Sequence, residues 1–224
     1  MHAWKRLSIA TVIVAAAVVT ISPRIRFSAG GALVNLGMGL QDDLHAFDLA
    51  HEHSITPQQV WQEFAHNNEL SSRVRDVLPR SVEHPLVALA VCMDARIDTS
   101  ELAGDTRRYY YVVRTAGSIL EPAEQEMLEL AVRNGVKVLV LTRHTDCAAE
   151  KAATHPELRS RFPALVNAVD RRDVRLNEFL QRPLIREKVE KGELLIKQLF
   201  VDTTNDHLIT AAQLNEAVGK ITPH

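Results

Sequence analysis

The stretch Val136 to Cys147, VKVLVLTRHTDC, constrains the fold more than any other part of the chain. Its first half is a run of Val and Leu, which reads as a strand buried on both faces. It then turns polar at once, in Arg143-His144-Thr145-Asp146-Cys147. A buried strand that empties into a His-x-x-Cys loop sets two good metal ligands at the carboxyl edge of a sheet, where open α/β sheets bind their ligands. The chain's other cysteine, Cys92, also closes an apolar run, LVALAVC, and is followed by Met93-Asp94-Ala95-Arg96. Two strand ends can therefore bring Cys92, His144 and Cys147 to one point, and these ligand types suit one zinc ion per chain.

The segments between these motifs alternate. Leu86 to Val91 and Tyr109 to Val113 read as the first two strands, the second running into Arg114-Thr115-Ala116-Gly117-Ser118. Pro122 starts a helix through Met127, Leu128, Leu130, Ala131 and Val132, and Gly135 follows Asn134 at the left-handed C-terminal position. The third strand is Val136 to Thr142. A polar, mostly helical stretch then leads to about Arg182, a short helix runs from Pro183 to Gly192, and Leu194 to Val201 is the last strand. Residues 202 to 224 read as a polar tail with helical character. This alternation predicts an α/β fold with a mostly parallel central sheet flanked by helices, spanning residues 81–224 as the zinc-binding domain.

Upstream, Thr56-Pro57 opens a helix, with Thr as N-cap and Pro at the first helical position. Val60, Trp61, Phe64, Leu70 and Val74 form an apolar stripe of helical period, and Asn67-Asn68 predicts a break into two helices. Residues 31–80 thus form a linker and helical arm, in which His45, His51 and His53 read as ordinary histidines. At the start, Lys5 and Arg6 precede the uncharged run Leu7 to Ile21. This predicts a signal peptide or N-terminal membrane anchor over residues 1–30, hence an exported, periplasmic or membrane-tethered body. The alternative is an N-terminal helix packed on the domain and a cytoplasmic protein. The 224 residues carry a net charge of −2 and only 5% aromatic side chains, which exclude a nucleic-acid surface.

Three protein ligands leave a fourth position for water, the arrangement of a catalytic zinc site. If the chain stays extended past Cys92, Asp94 and Arg96 point to its side. Asp94 then accepts a hydrogen bond from zinc-bound water, or binds zinc itself and closes the site, and Arg96 holds the carboxylate by a bidentate pair. Two thiolates cancel the charge of zinc, so bound water is a weaker acid than at a three-histidine site, and activity is expected to rise toward alkaline pH.

Cys92-x-Asp94-x-Arg96 with His144-x-x-Cys147 resembles the paired signatures of β-class carbonic anhydrases. Arg114-Thr115-Ala116-Gly117 is similar to that family's Arg-Asn-Ala-Gly loop, and Cys-Met-Asp-Ala-Arg resembles a smaller bacterial and mycobacterial-type branch. The resemblance implies reversible hydration of carbon dioxide to bicarbonate by zinc-bound hydroxide, in homodimers or assemblies of dimers. It implies Cys92, His144 and Cys147 as zinc ligands, Asp94 as gate and fourth ligand of a closed state, Arg96 as its partner, and backbone around Gly117 as pocket wall. Three residues depart from the family pattern. Thr115 replaces Asn, Arg143 replaces a Gly and is expected to narrow the pocket or aid bicarbonate, and Ala148 replaces a Gly, which strains the ligand loop if that backbone needs a positive φ. Two other readings fit the same motifs: a zinc hydrolase of carbonyl sulfide or carbon disulfide, and a non-catalytic module with zinc held as Cys-Asp-His-Cys.

Overall fold

The apolar runs form the centre of a five-stranded sheet in the computed structural model, which describes residues 22–41, 56–77, 84–103 and 110–214. The strands are β1 (Val87–Cys92), β2 (Tyr110–Thr115), β3 (Val138–His144), β4 (Leu195–Asp202) and β5 (His207–Ile209), in the order β2-β1-β3-β4-β5. The first four are parallel, and β5 runs antiparallel to β4. Parallel neighbours need crossover connections, which the intervening helices supply. Strands β1, β3 and β4 begin one or two residues later than the apolar runs suggest, and Leu86 and Lys137 still pair as loop residues ahead of β1 and β3 (Lys137 N–H donates to Leu86 O, 2.8 Å). β5 lies where a polar helical tail was expected. Its three residues are too few for an apolar pattern, and pairing with β4 is what makes them a strand.

The central strands are buried on both faces. Ala88 and Ala90 pack with Leu128, Leu139, Phe179 and Ile185 on one side, and Leu89 and Val91 with Ile97, Cys147 and Val201 on the other. Helix α4 (Pro122–Arg133) ends as the sequence predicts, with Gly135 at φ 109°. The stretch after Cys147 breaks at successive prolines and polar residues into α5 (Ala148–Thr154), α6 (Pro156–Arg161), α7 (Pro163–Asp170) and α8 (Arg172–Leu180), followed by α9 (Pro183–Glu190). A short α3 (Thr99–Ala103) lies between β1 and β2.

Contacts divide the chain into two units, Met1–Arg80 and Ser81–His224, and the sheet belongs to the second. The first contains α1 (Pro23–Gln41) and α2 (Pro57–Val77). Helix α2 begins at a reciprocal cap: Gln59 N–H donates to Thr56 Oγ1 (3.3 Å), and Thr56 N–H donates to Gln59 Oε1 (2.8 Å). It then runs through Asn67-Asn68 without the expected break, since two helix-tolerated residues cost little against continued backbone pairing. Among the described residues no helix is long and apolar enough to cross a membrane. The run Leu7 to Ile21 and the histidines 45, 51 and 53 lie outside the described residues.

Candidate metal centre

The parallel strands β1 and β3 deliver their last residues, Cys92 and His144, to one edge of the sheet, and Cys147 follows at the threshold of α5. The ligand atoms of Cys92, His144 and Cys147 all lie within 4.8 Å of one another, and all three residues are buried. His144 Nδ1 lies 2.9 Å from the Thr145 carbonyl oxygen, which assigns the ring proton to Nδ1. The lone pair is then on Nε2, a buried atom with no hydrogen-bond partner. A buried acceptor without a partner, beside two sulfurs, fits a zinc ion.

Asp94 does not lie in that cluster. The chain does not stay extended past Cys92. It turns, with Ile97 N–H donating to Asp94 O (3.1 Å), because the Asp94 side chain captures the Arg96 amide at 3.0 Å. The guanidinium completes the pair: Nε to Oδ1 at 3.0 Å and Nη2 to Oδ2 at 2.8 Å. Arg96 Nη2 also reaches the Asp146 carbonyl at 3.2 Å, so it ties the Asp94 turn to the His144–Cys147 loop. Arg114 holds the same turn from below, Nη2 donating to Asp94 O (2.9 Å) and Ile97 O (2.8 Å). Its role was not read from the sequence, although it is the only charge in β2.

The departures from the expected loop have local causes. Ala148 opens α5 without strain, and the positive φ of this loop falls instead on Asp146, at 61°, a residue type that tolerates it. Arg143 precedes His144 in β3, so the two side chains leave opposite faces of the strand. Its guanidinium pairs with Asp173 and lines a cavity of about 260 Å³ with Ser118, Thr142, Arg172 and Gln198, rather than narrowing the metal pocket. Thr115 meets Cys92 in the β1–β2 register and takes the Met93 amide at 3.0 Å through its backbone, a contact indifferent to the side chain. Gly117 does approach the centre: its N–H donates to Cys92 Sγ at 3.2 Å, with φ 62°.

These contacts set the charges. A hydrogen bond from the Cys147 thiol pulls Cys92 well down against the opposing effect of burial, and the amides of Asp94 and Gly117 add to it. The same bond and burial push Cys147 up, while the first amides of α5, Glu150 and Ala149, act the other way. The Arg96 side chain and amide hold Asp94 well below the usual carboxylate range.

A sequence model of the family described as carbonic anhydrase matches residues 87–221, more than half of the chain. The chain belongs to the carbonic anhydrase family. Zinc-dependent reversible hydration of carbon dioxide is the activity of that family, and Cys92, His144 and Cys147 form a buried group that could hold the metal. No curated protein sequence matches the chain significantly. Among solved structures, the β-carbonic anhydrase CcaA is similar with a TM-score of 0.52 and 17% identity, over 67% of this chain and 90% of that one. One of two tetrameric β-carbonic anhydrases from the ascomycete Sordaria macrospora is similar with a TM-score of 0.50 and 16% identity, over 67% and 95%. At these identities the likeness is one of fold.

Proposed function

We propose that this chain interconverts carbon dioxide and bicarbonate with one zinc held by Cys92, His144 and Cys147, and with Asp94 and Arg96 as the working pair beside it. The observation that carries this reading is the buried, unpartnered His144 Nε2 facing two cysteine sulfurs. Zinc held there would supply Lewis acidity, which would make water a nucleophile increasingly as pH rises above neutral. Asp94, kept ionised by Arg96, can accept a hydrogen bond but cannot donate one. It therefore orients a reacting water by accepting its proton's hydrogen bond, and it stays in that state across the working pH range. Backbone around Gly117 forms the wall of the pocket. For Asp94 to become a fourth ligand, its pair with Arg96 must open, so the pair acts as a gate. Its engagement of both Asp94 oxygens supports an open, catalytic site over a closed module.

Stopped-flow hydration of carbon dioxide by the zinc-loaded chain from pH 7 to 9 tests this. Turnover should rise toward alkaline pH and vanish when zinc is removed. Absence of turnover at full zinc occupancy would point to a zinc-stabilised module, or to a related substrate such as carbonyl sulfide or carbon disulfide. Asp94→Ala should retain zinc and change the pH profile, and a profile identical to wild type would remove Asp94 from the reaction.

The assembly we infer is a homodimer or a set of dimers. Among the described residues strand β2 is an unpaired sheet edge, and exposed Tyr111 and Val112 there adjoin exposed Met127 and Leu130 of α4. Sedimentation at micromolar concentration should report more than one chain per particle. For location, Lys5 and Arg6 ahead of the uncharged run Leu7 to Ile21 support export or tethering. Recovery of the full-length chain solely in the cytoplasmic fraction would defeat that reading.

A further inference from the structure

Arg172 is a buried cation that the proposed reaction does not use. It opens α8, is 8% exposed, and pairs through Nη1 with Glu150 Oε1. Its Nε and Nη2 are buried without any hydrogen-bond partner. The guanidinium stands directly behind Gly117: a Cβ on that glycine would meet Arg172 Nη2 at 2.8 Å and the Ala149 Cβ at 3.3 Å. Each neighbour of Arg172 leads to a different cysteine. Gly117 donates its N–H to Cys92 Sγ. Glu150 and Ala149 form the first turn of the helix that begins immediately after Cys147.

We propose that Arg172, clamped by Glu150 and seated against Gly117, is a positioning residue for zinc, holding the loops of Cys92 and Cys147 at the separation that the metal needs. Glycine at 117 is then required twice, for its left-handed backbone and for the space that the guanidinium fills. The buried donors without acceptors, costly by themselves, set positive charge behind loops that bear two thiolates when metal is bound. The planar shape of the Arg guanidinium matters, since a flexible ammonium at this position keeps the charge but not the fit against both loops. Sequence spacing does not show this contact, because Arg172 lies in a polar helical stretch far from every motif.

This inference rests on the zinc reading. It is tested with the full-length chain by zinc competition against a chromogenic chelator, alongside thermal melting with and without zinc. Arg172→Met and Glu150→Gln should each weaken zinc binding about 10- to 100-fold, as loss of outer contacts to metal ligands does. The double variant should bind no worse than the weaker single one, because the pair acts as a unit. Arg172→Lys should recover only part of the affinity. Leu176→Ala, a packing change in the same helix, should lower the melting temperature without weakening zinc binding. Folded Arg172→Met and Glu150→Gln proteins that bind zinc within twofold of wild type would overturn the proposal. So would variants that melt lower in the zinc-free state while keeping their zinc affinity, since Arg172 would then serve the fold alone. Should Arg172→Met fail to fold, Glu150→Gln decides the question. A wild-type chain that binds no zinc would instead refute the metal site itself.

Discussion

Gly117 is the residue at which the geometry is least forgiving. Its φ of 62° disfavours any L side chain, and an added Cβ meets the Arg172 guanidinium at 2.8 Å. Gly117→Ala should therefore cost about 1–3 kcal/mol of stability, read from denaturant unfolding, and should weaken zinc binding with it. At the cysteines the prediction concerns protons. The hydrogen bond between the two thiols lowers Cys92 and raises Cys147, so the pair favours holding one proton between them in the zinc-free protein. Zinc uptake at pH 7 should accordingly release about one proton from the two cysteines, measurable by calorimetry in buffers of different ionisation enthalpy. Release of two would place both thiols in the protonated form. The ligands themselves were legible in the sequence, because each closes or follows an apolar run that can only be a strand end. The contacts of Asp146, Glu150 and Arg172 were not, because their partners lie on other elements, and Arg114 was marked only as part of a loop motif, without its contacts to the Asp94 turn.

Among the elements, α8 joins the core to the centre. Phe179, near its end, is fully buried against Ala88, Leu139 and Ile185, while Arg172 at its start reaches Gly117. Phe179→Ala should destabilise the sheet unit by about 3–5 kcal/mol, the usual cost of an emptied aromatic site, seen as a lower denaturation midpoint with little change in slope. The strands β1, β3 and β4 were readable as apolar runs, and α4 and α9 by proline at one end and glycine at the other. The helices between Cys147 and Leu180 were readable only as a helical region, since their breaks follow prolines and packing rather than a change in hydrophobic period. The uninterrupted course of α2 through Asn67-Asn68 shows the same limit: local propensity differences of a fraction of a kcal/mol do not decide where a helix ends.

At the scale of the whole molecule, the centre is built from three strand-end segments held together only by tertiary contacts, so zinc and fold should be coupled. Zinc in 100-fold excess over its dissociation constant should stabilise the native state by about 2.7 kcal/mol and raise the melting temperature, and chelation should reverse the gain. A melting temperature independent of zinc would mean that the site binds no metal in the folded chain. Hydrophobic runs determine strands by themselves, because burial of Val and Leu on two faces has one common solution, and short motifs at the ends of those strands carry their ligand chemistry with them. The sequence therefore determined the parallel sheet, its carboxyl edge and the set Cys92, His144 and Cys147. Only the tertiary structure decided that Arg96 also reaches Asp146, that Arg143 leaves for Asp173, and that Arg172 stands against Gly117 and Glu150. Those outcomes depend on side chains from distant elements competing for the same charged and polar groups in a confined space, and sequence spacing carries no record of that competition.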